Sequence, residues 1–182
     1  DLCCAPGGKT LQLAAAGWQV TGLDTSAKRL DRVRQNLART GLAAELVQAD
    51  ARTWQAEAPF DAVLLDAPCT ATGTCRRHPD VLHRIGQGHI ADMAALQADL
   101  LDHAQGLLAP GGTLVYATCS LEPAEGEEQA ARVALPVHVV RAEELPAGIA
   151  PSPQGWLRTH PGMLADQGGL DGFFIARWHL LS

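Results

Sequence analysis

Short apolar runs alternate along the chain with longer segments whose apolar residues fall three or four apart. This alternation is the pattern of strands and helices taking turns in an α/β fold built on a mostly parallel sheet, with helices on both faces. Three apolar runs each end in an aspartate: residues 18–23 lead to Asp24, 45–48 to Asp50 and 60–65 to Asp66. Further strands are expected over 113–117, 137–141 and 173–178. Between them, residues 9–16 predict a short helix closed by Gly17. Ser26 is a suitable N-cap for a helix to about Thr40, with Leu30, Val33 and Leu37 inward and Arg29, Arg32 and Arg39 on a solvated face. Residues 90–108 carry Ile90, Met93, Leu96, Leu100 and Leu107 at helical spacing and stop before Pro110, Gly111 and Gly112. Residues 123–133 predict a last helix, and 143–172, rich in Pro and Gly, a loop. The reading is a Rossmann-like fold forming one domain over residues 1–182.

Composition narrows the picture. The formal charge of -6 predicts no broad affinity for nucleic acid, so any such contact is local or lies elsewhere. Five cysteines at irregular spacing argue against a disulfide framework and for a reducing, cytoplasmic setting. The spacing of zinc ligands is missing, and no metal is expected. No apolar run approaches the ~18 residues of a membrane span, and no membrane association is expected. Asp1 opens directly on a glycine turn whose supporting strand is expected upstream, so the chain reads as a piece of a longer protein.

Asp24, Asp50 and Asp66 share the sheet edge where open α/β folds bind ligands, and so does the turn at Pro6, Gly7 and Gly8. Gly8, Lys9 and Thr10 match the end of a P-loop, but its first glycine would fall on Cys3. Adjacent glycines also miss the dinucleotide fingerprint. An acidic residue one strand on still suits a ribose diol, which leaves a nucleoside ligand without a pyrophosphate; S-adenosylmethionine is the common one. The plainer alternative is that each aspartate caps a strand-to-helix turn.

Cys69 and Cys119 each follow a strand at this edge, whereas Cys3, Cys4 and Cys75 read as small core hydrophobes. Nitrogen and oxygen acceptors need no thiol to take a methyl group, but carbon 5 of a pyrimidine has no lone pair. A thiolate that adds to carbon 6 makes carbon 5 nucleophilic, and removal of the carbon-5 proton later reverses the addition. The attacking thiol needs help to ionise, which the N-terminus of a helix after Cys119 would give. Asp66 is placed to share a proton with ring nitrogen 3.

The stretches "CCAPGGKT", "LVQAD", "LLDAPCTATGTCRRHPD", "APGGTLVYATCSLEPAEGE" and "DGFFIARW" resemble the consecutive motifs of the Sun/Fmu-type RNA cytosine-5 methyltransferases, most closely the bacterial B-type branch that acts on small-subunit ribosomal RNA. The resemblance implies S-adenosylmethionine as methyl donor and RNA as partner. It puts the cofactor turn on Cys3, Cys4, Ala5, Pro6, Gly7, Gly8 and Lys9, and the ribose, adenine and methionine-side carboxylates on Asp24, Asp50 and Asp66. It makes Cys119 the nucleophile and Cys69 the thiol that assists product release. DNA cytosine methyltransferases attack instead with the thiol that follows proline, here Cys69 after Pro68. Cys4 departs from the family's usual alanine. Arg76 and Arg77, beside the Cys69 loop, form a local basic patch for phosphates near a target cytosine that must leave its stack. The readings that compete are an enzyme acting on transfer or other RNA, one methylating small molecules or proteins, which leaves both thiols idle, and a non-catalytic cofactor-binding module of ribosome assembly.

Overall fold

Ser26 opens the second helix as its type predicts: its hydroxyl accepts from Arg29 N at 3.3 Å, satisfying a donor left free in the first turn. A computed structural model describes residues 1–181. Helix α1 covers Gly8–Ala15, strand β1 Thr21–Asp24, helix α2 Ala27–Thr40, β2 Glu45–Gln48 and β3 Phe60–Asp66. Helices α3 (Val81–Arg84) and α4 (Gln87–Gln105) precede the long strand β4 (Leu108–Thr118), and then come α5 (Glu127–Arg132), β5 (Leu157–Arg158) and β6 (Phe174–His179).

Strands β1 and β2 pair in parallel, and β3 pairs in parallel with β4. Strand β6 runs antiparallel to β4 on one side and to β5 on the other. Leu2 stitches the two groups together, bridging Leu23 of β1 and Leu65 of β3, so the order reads β2, β1, Leu2, β3, β4, β6, β5. The three aspartates thus stand at neighbouring strand tips. The main core packs Leu23, Leu65, Leu101, Leu114, Tyr116, Phe174 and Trp178 about the sheet, and a second cluster seals Leu30, Val33 and Leu37 of α2 against Cys4 and Ala5.

Several expectations need correction. Pro110, Gly111 and Gly112 interrupt no strand: they form a bulge inside β4, where the pairing register with β3 shifts between Phe60 and Ala62, and Gly111 adopts the left-handed conformation (φ 79°). Residues 137–141 make only one bridge, Val137 to Trp178, because the Arg177 guanidinium takes the carbonyls of His138 and Val139 in place of a ladder. The helix expected over 123–133 breaks at Gly126 into a tight turn, Pro123–Glu125, followed by α5. The expected loop of 143–172 contains β5, too short to show alternation. Arg29 is not merely solvated, since it donates to Ala5 O at 2.7 Å and approaches Asp24 at 3.3 Å.

Candidate active site

The glycine turn is fixed from below by Asp24. This buried carboxylate accepts from Ser26 N at 2.9 Å and from Ala5 N at 3.3 Å, so it caps the start of α2 while holding the turn. Gly7 has φ 101°, and a β-carbon there would lie 2.9 Å from Val33 Cγ1, so both backbone conformation and space require glycine. The turn delivers Lys9 to the tip of β3, where its ammonium meets Asp66 at 2.6 Å. Asp50 is likewise held by its neighbour: Arg52 forms an ion pair with it at 2.6 Å, and that hydrogen bonding lowers the carboxyl pKa to about 2. The plain capping role therefore holds for Asp24, whereas no helix directly follows Asp50, whose carboxylate instead closes a local turn by accepting from Arg52 N at 2.9 Å.

A cavity of about 210 Å³ opens among these groups, lined by Cys3, Asp24, Asp50, Pro68, Leu96 and Leu100 among others. Two carboxylates, their partners Arg29 and Arg52, and aliphatic side chains share this lining, a mixture that suits a nucleoside, whose sugar hydroxyls donate and whose base is flat and weakly polar. Of the turn residues only Cys3 lines it; Cys4 and Ala5 belong to the core under α2, and Asp66 stands outside with Lys9. Burial drives the Cys3 thiol up to about 12, which makes it a wall and not a nucleophile. The extra sulfur of Cys4 is accommodated against Gly22, where a β-carbon would lie 3.1 Å from Cys4 Sγ.

Cys69 and Cys119 come together across 50 positions of sequence, with their sulfurs 3.4 Å apart. Their environments push them in opposite directions. Cys119 is lowered from the ordinary thiol range, chiefly by its hydrogen bond with Cys69, against opposition first from burial and then from Asp66, with a smaller lowering from Lys9. Cys69 is raised, first by that hydrogen bond and then by burial. The helix end invoked for Cys119 is not its support, since the next helical turn begins only at Pro123. Removing the donor has a definite sign: Cys69→Ala should move the pH midpoint of Cys119 alkylation by iodoacetamide upward, read by peptide mass spectrometry, and an unmoved midpoint would refute the donor role.

The loops that carry the sulfurs are joined through their backbones. Gly73 N donates to Cys119 O at 2.9 Å, and Gly172 N donates to Gly73 O at 2.7 Å. Arg77 and Arg76 both turn toward Asp171, at 2.6 and 3.6 Å, and Arg76 also donates to Gly168 O. The basic patch is thus partly neutralised within the fold, and the Arg77 hydrogen bonds hold the Asp171 carboxyl below its usual range. Sequence reasoning missed Asp171, Gly73, Gln97 and Glu125. A signal existed for Gln97, an amide one helical turn from Met93 on the apolar face of α4, and for Glu125 only its place within the quoted stretch "APGGTLVYATCSLEPAEGE". Among the described residues no cluster of three His, Cys, Asp or Glu could hold a metal ion, and no helix is long and apolar enough to cross a membrane.

Residues 1–179 match the family described as 16S rRNA methyltransferase RsmB/F. The ribosomal RNA small subunit methyltransferase B of Pseudomonas syringae pv. tomato is 47% identical over 97% of this chain, and that of Shewanella oneidensis 42% over 97%. The chain spans 41% of the length of each of these relatives. Among solved structures, NSun6 from Pyrococcus horikoshii with SFG superposes with a TM-score of 0.83 at 29% identity, covering 100% of this chain and 47% of that one.

Proposed function

The chain belongs to the 16S rRNA methyltransferase RsmB/F family, and from that premise we propose that residues 1–182 are the catalytic domain of a cytoplasmic enzyme that methylates carbon 5 of a cytosine in small-subunit ribosomal RNA. The observation that carries this reading is the thiol pair, 3.4 Å apart at the sheet edge that also bears the carboxylate-rimmed cavity. Transfer to nitrogen or oxygen would leave both sulfurs without a task.

Cys3, Asp24, Asp50, Pro68 and Leu96 would hold the nucleoside part of S-adenosylmethionine. That group, when bound, supplies an electrophilic methyl on a sulfonium. The Cys119 thiolate adds to carbon 6 of a cytosine drawn out of its stack, and the electron pair of the 5,6 double bond becomes available at carbon 5. Asp66, at the tip of β3, assists at ring nitrogen 3, for which Lys9 must loosen its grip on the carboxylate. Once carbon 5 bears the methyl, a solvent water takes its proton, the pair of that carbon–hydrogen bond re-forms the 5,6 double bond, and the carbon–sulfur bond breaks with its pair returning to Cys119. Cys69 assists that elimination by donating its S–H to the departing Cys119 thiolate, 3.4 Å away. Asp171 balances part of the charge of Arg76 and Arg77, so these arginines orient RNA phosphates locally and are not a broad anchor.

The test is direct. Full-length protein incubated with unmodified 16S rRNA and methyl-labelled S-adenosylmethionine should place label in 5-methylcytosine, identified by nucleoside chromatography. Label on protein or small-molecule acceptors, with none on RNA, would overturn the reading.

A further inference from the structure

Behind the two thiols lies a polar cluster sealed from solvent, in which Gln97, Glu125, Thr70, Thr72 and Ser120 are all buried. Glu125 sits at its centre. Its Oε1 accepts from Thr70 N and from Gln97 Nε2, each at 2.9 Å. Its Oε2 accepts from the Thr70 hydroxyl and, at 2.5 Å, from that of Ser120. The protons can be followed outward. Glu122 N donates to Ser120 Oγ at 3.1 Å and Leu121 N to Thr72 Oγ1 at 2.9 Å, which leaves the Thr72 hydroxyl proton to point at Ser120 Oγ, 3.2 Å away. Every hydroxyl proton then has one acceptor, and the carboxylate is met by neutral donors alone. The second N–H of Gln97 goes to Pro68 O at 2.7 Å.

A buried carboxylate without a cation is costly, and a joint that served only packing could be made from apolar side chains at less cost. What distinguishes this cluster is the set of residues it grips. Pro68 and Thr70 flank Cys69, and Ser120 follows Cys119. We infer that Glu125, braced by Gln97, is a positioning residue for methyl transfer, setting the separation and aim of Cys69 and Cys119 by holding both loops to α4. The inference rests on the proposed function for its catalytic meaning, while the placement of the sulfurs does not depend on it.

The experiment compares wild-type full-length protein with Glu125→Ala, Glu125→Gln and Gln97→Met. Dibromobimane, which fluoresces on bridging two nearby thiols, reports the Cys69–Cys119 link after peptide mapping, and kinetics on unmodified 16S rRNA report transfer. Glu125→Ala should lower kcat by about a hundredfold, with KM for RNA changed by no more than about threefold, and should reduce bridging in parallel, because a shift of about 1 Å in reacting groups has effects of this size. Glu125→Gln retains one carbonyl for Thr70 N and Gln97 while the two hydroxyls turn to accept from its amide, so it should recover to within about tenfold of wild type. Gln97→Met, close in volume, should reduce bridging as well. If Glu125→Ala does not fold, Gln97→Met decides: wild-type bridging in that variant overturns the inference. Bridging needs neither RNA nor methyl donor, so its loss in the variants with a wild type inert toward rRNA would support the positioning role and count against the proposed function alone.

Discussion

Full-length protein carrying Cys119→Ala should lose methyl transfer to 16S rRNA by about 10⁴-fold or more, the effect of removing the attacking group of a covalent mechanism. Cys69→Ala should fail differently: protein is expected to accumulate on RNA as an adduct that survives denaturing electrophoresis, because addition proceeds and elimination stalls. The two sulfurs lie 3.4 Å apart, so either could reach the same ring, and the trapping pattern decides which one attacks. A reversed result, with adduct in Cys119→Ala and none in Cys69→Ala, would assign attack to the thiol after Pro68, as in DNA cytosine methyltransferases.

The second large effect concerns a residue with no chemistry of its own. A β-carbon on Gly73 would lie 2.0 Å from Gly172 O and 2.8 Å from Cys119 O. Neither oxygen can retreat cheaply, since the same loops are tied by Gly73 N to Cys119 O and Gly172 N to Gly73 O. Gly73→Ala must therefore push the loops apart. We expect a loss of about 3 kcal/mol in unfolding free energy, measured by denaturant titration. Transfer should fall by about a hundredfold in protein that remains folded, since the Cys119 carbonyl moves with its side chain. Retention of both stability and rate would show that the close approach is not needed.

How much of this was legible beforehand follows the range over which each signal acts. The strand ends at Asp24 and Asp66, the cap at Ser26 and the buried side of α2 are set by local periodicity and capping chemistry and lie where the sequence predicts, although β1 begins at Thr21 and leaves Trp18 exposed outside it. The thiol pair was legible because fold topology brings strand tips to one edge. Pairings that link distant loops were not: Asp171 with Arg77, 94 positions apart, and Glu125 with Thr70, 55 apart, leave no periodic trace in the chain. The misread strand over 137–141 has a physical cause of the same kind, for a single guanidinium on β6 occupies the carbonyls that a partner strand would need.

The backbone link from Cys119 through Gly73 to Gly172 also has a temporal side. During synthesis both sulfurs emerge well before Gly172 and the strand that follows it. Long-range closures of this sort form late, when the domain collapses as a unit. A nascent chain thus carries its two sulfur groups without the scaffold that makes them partners, and chemistry waits on the arrival of the last strand.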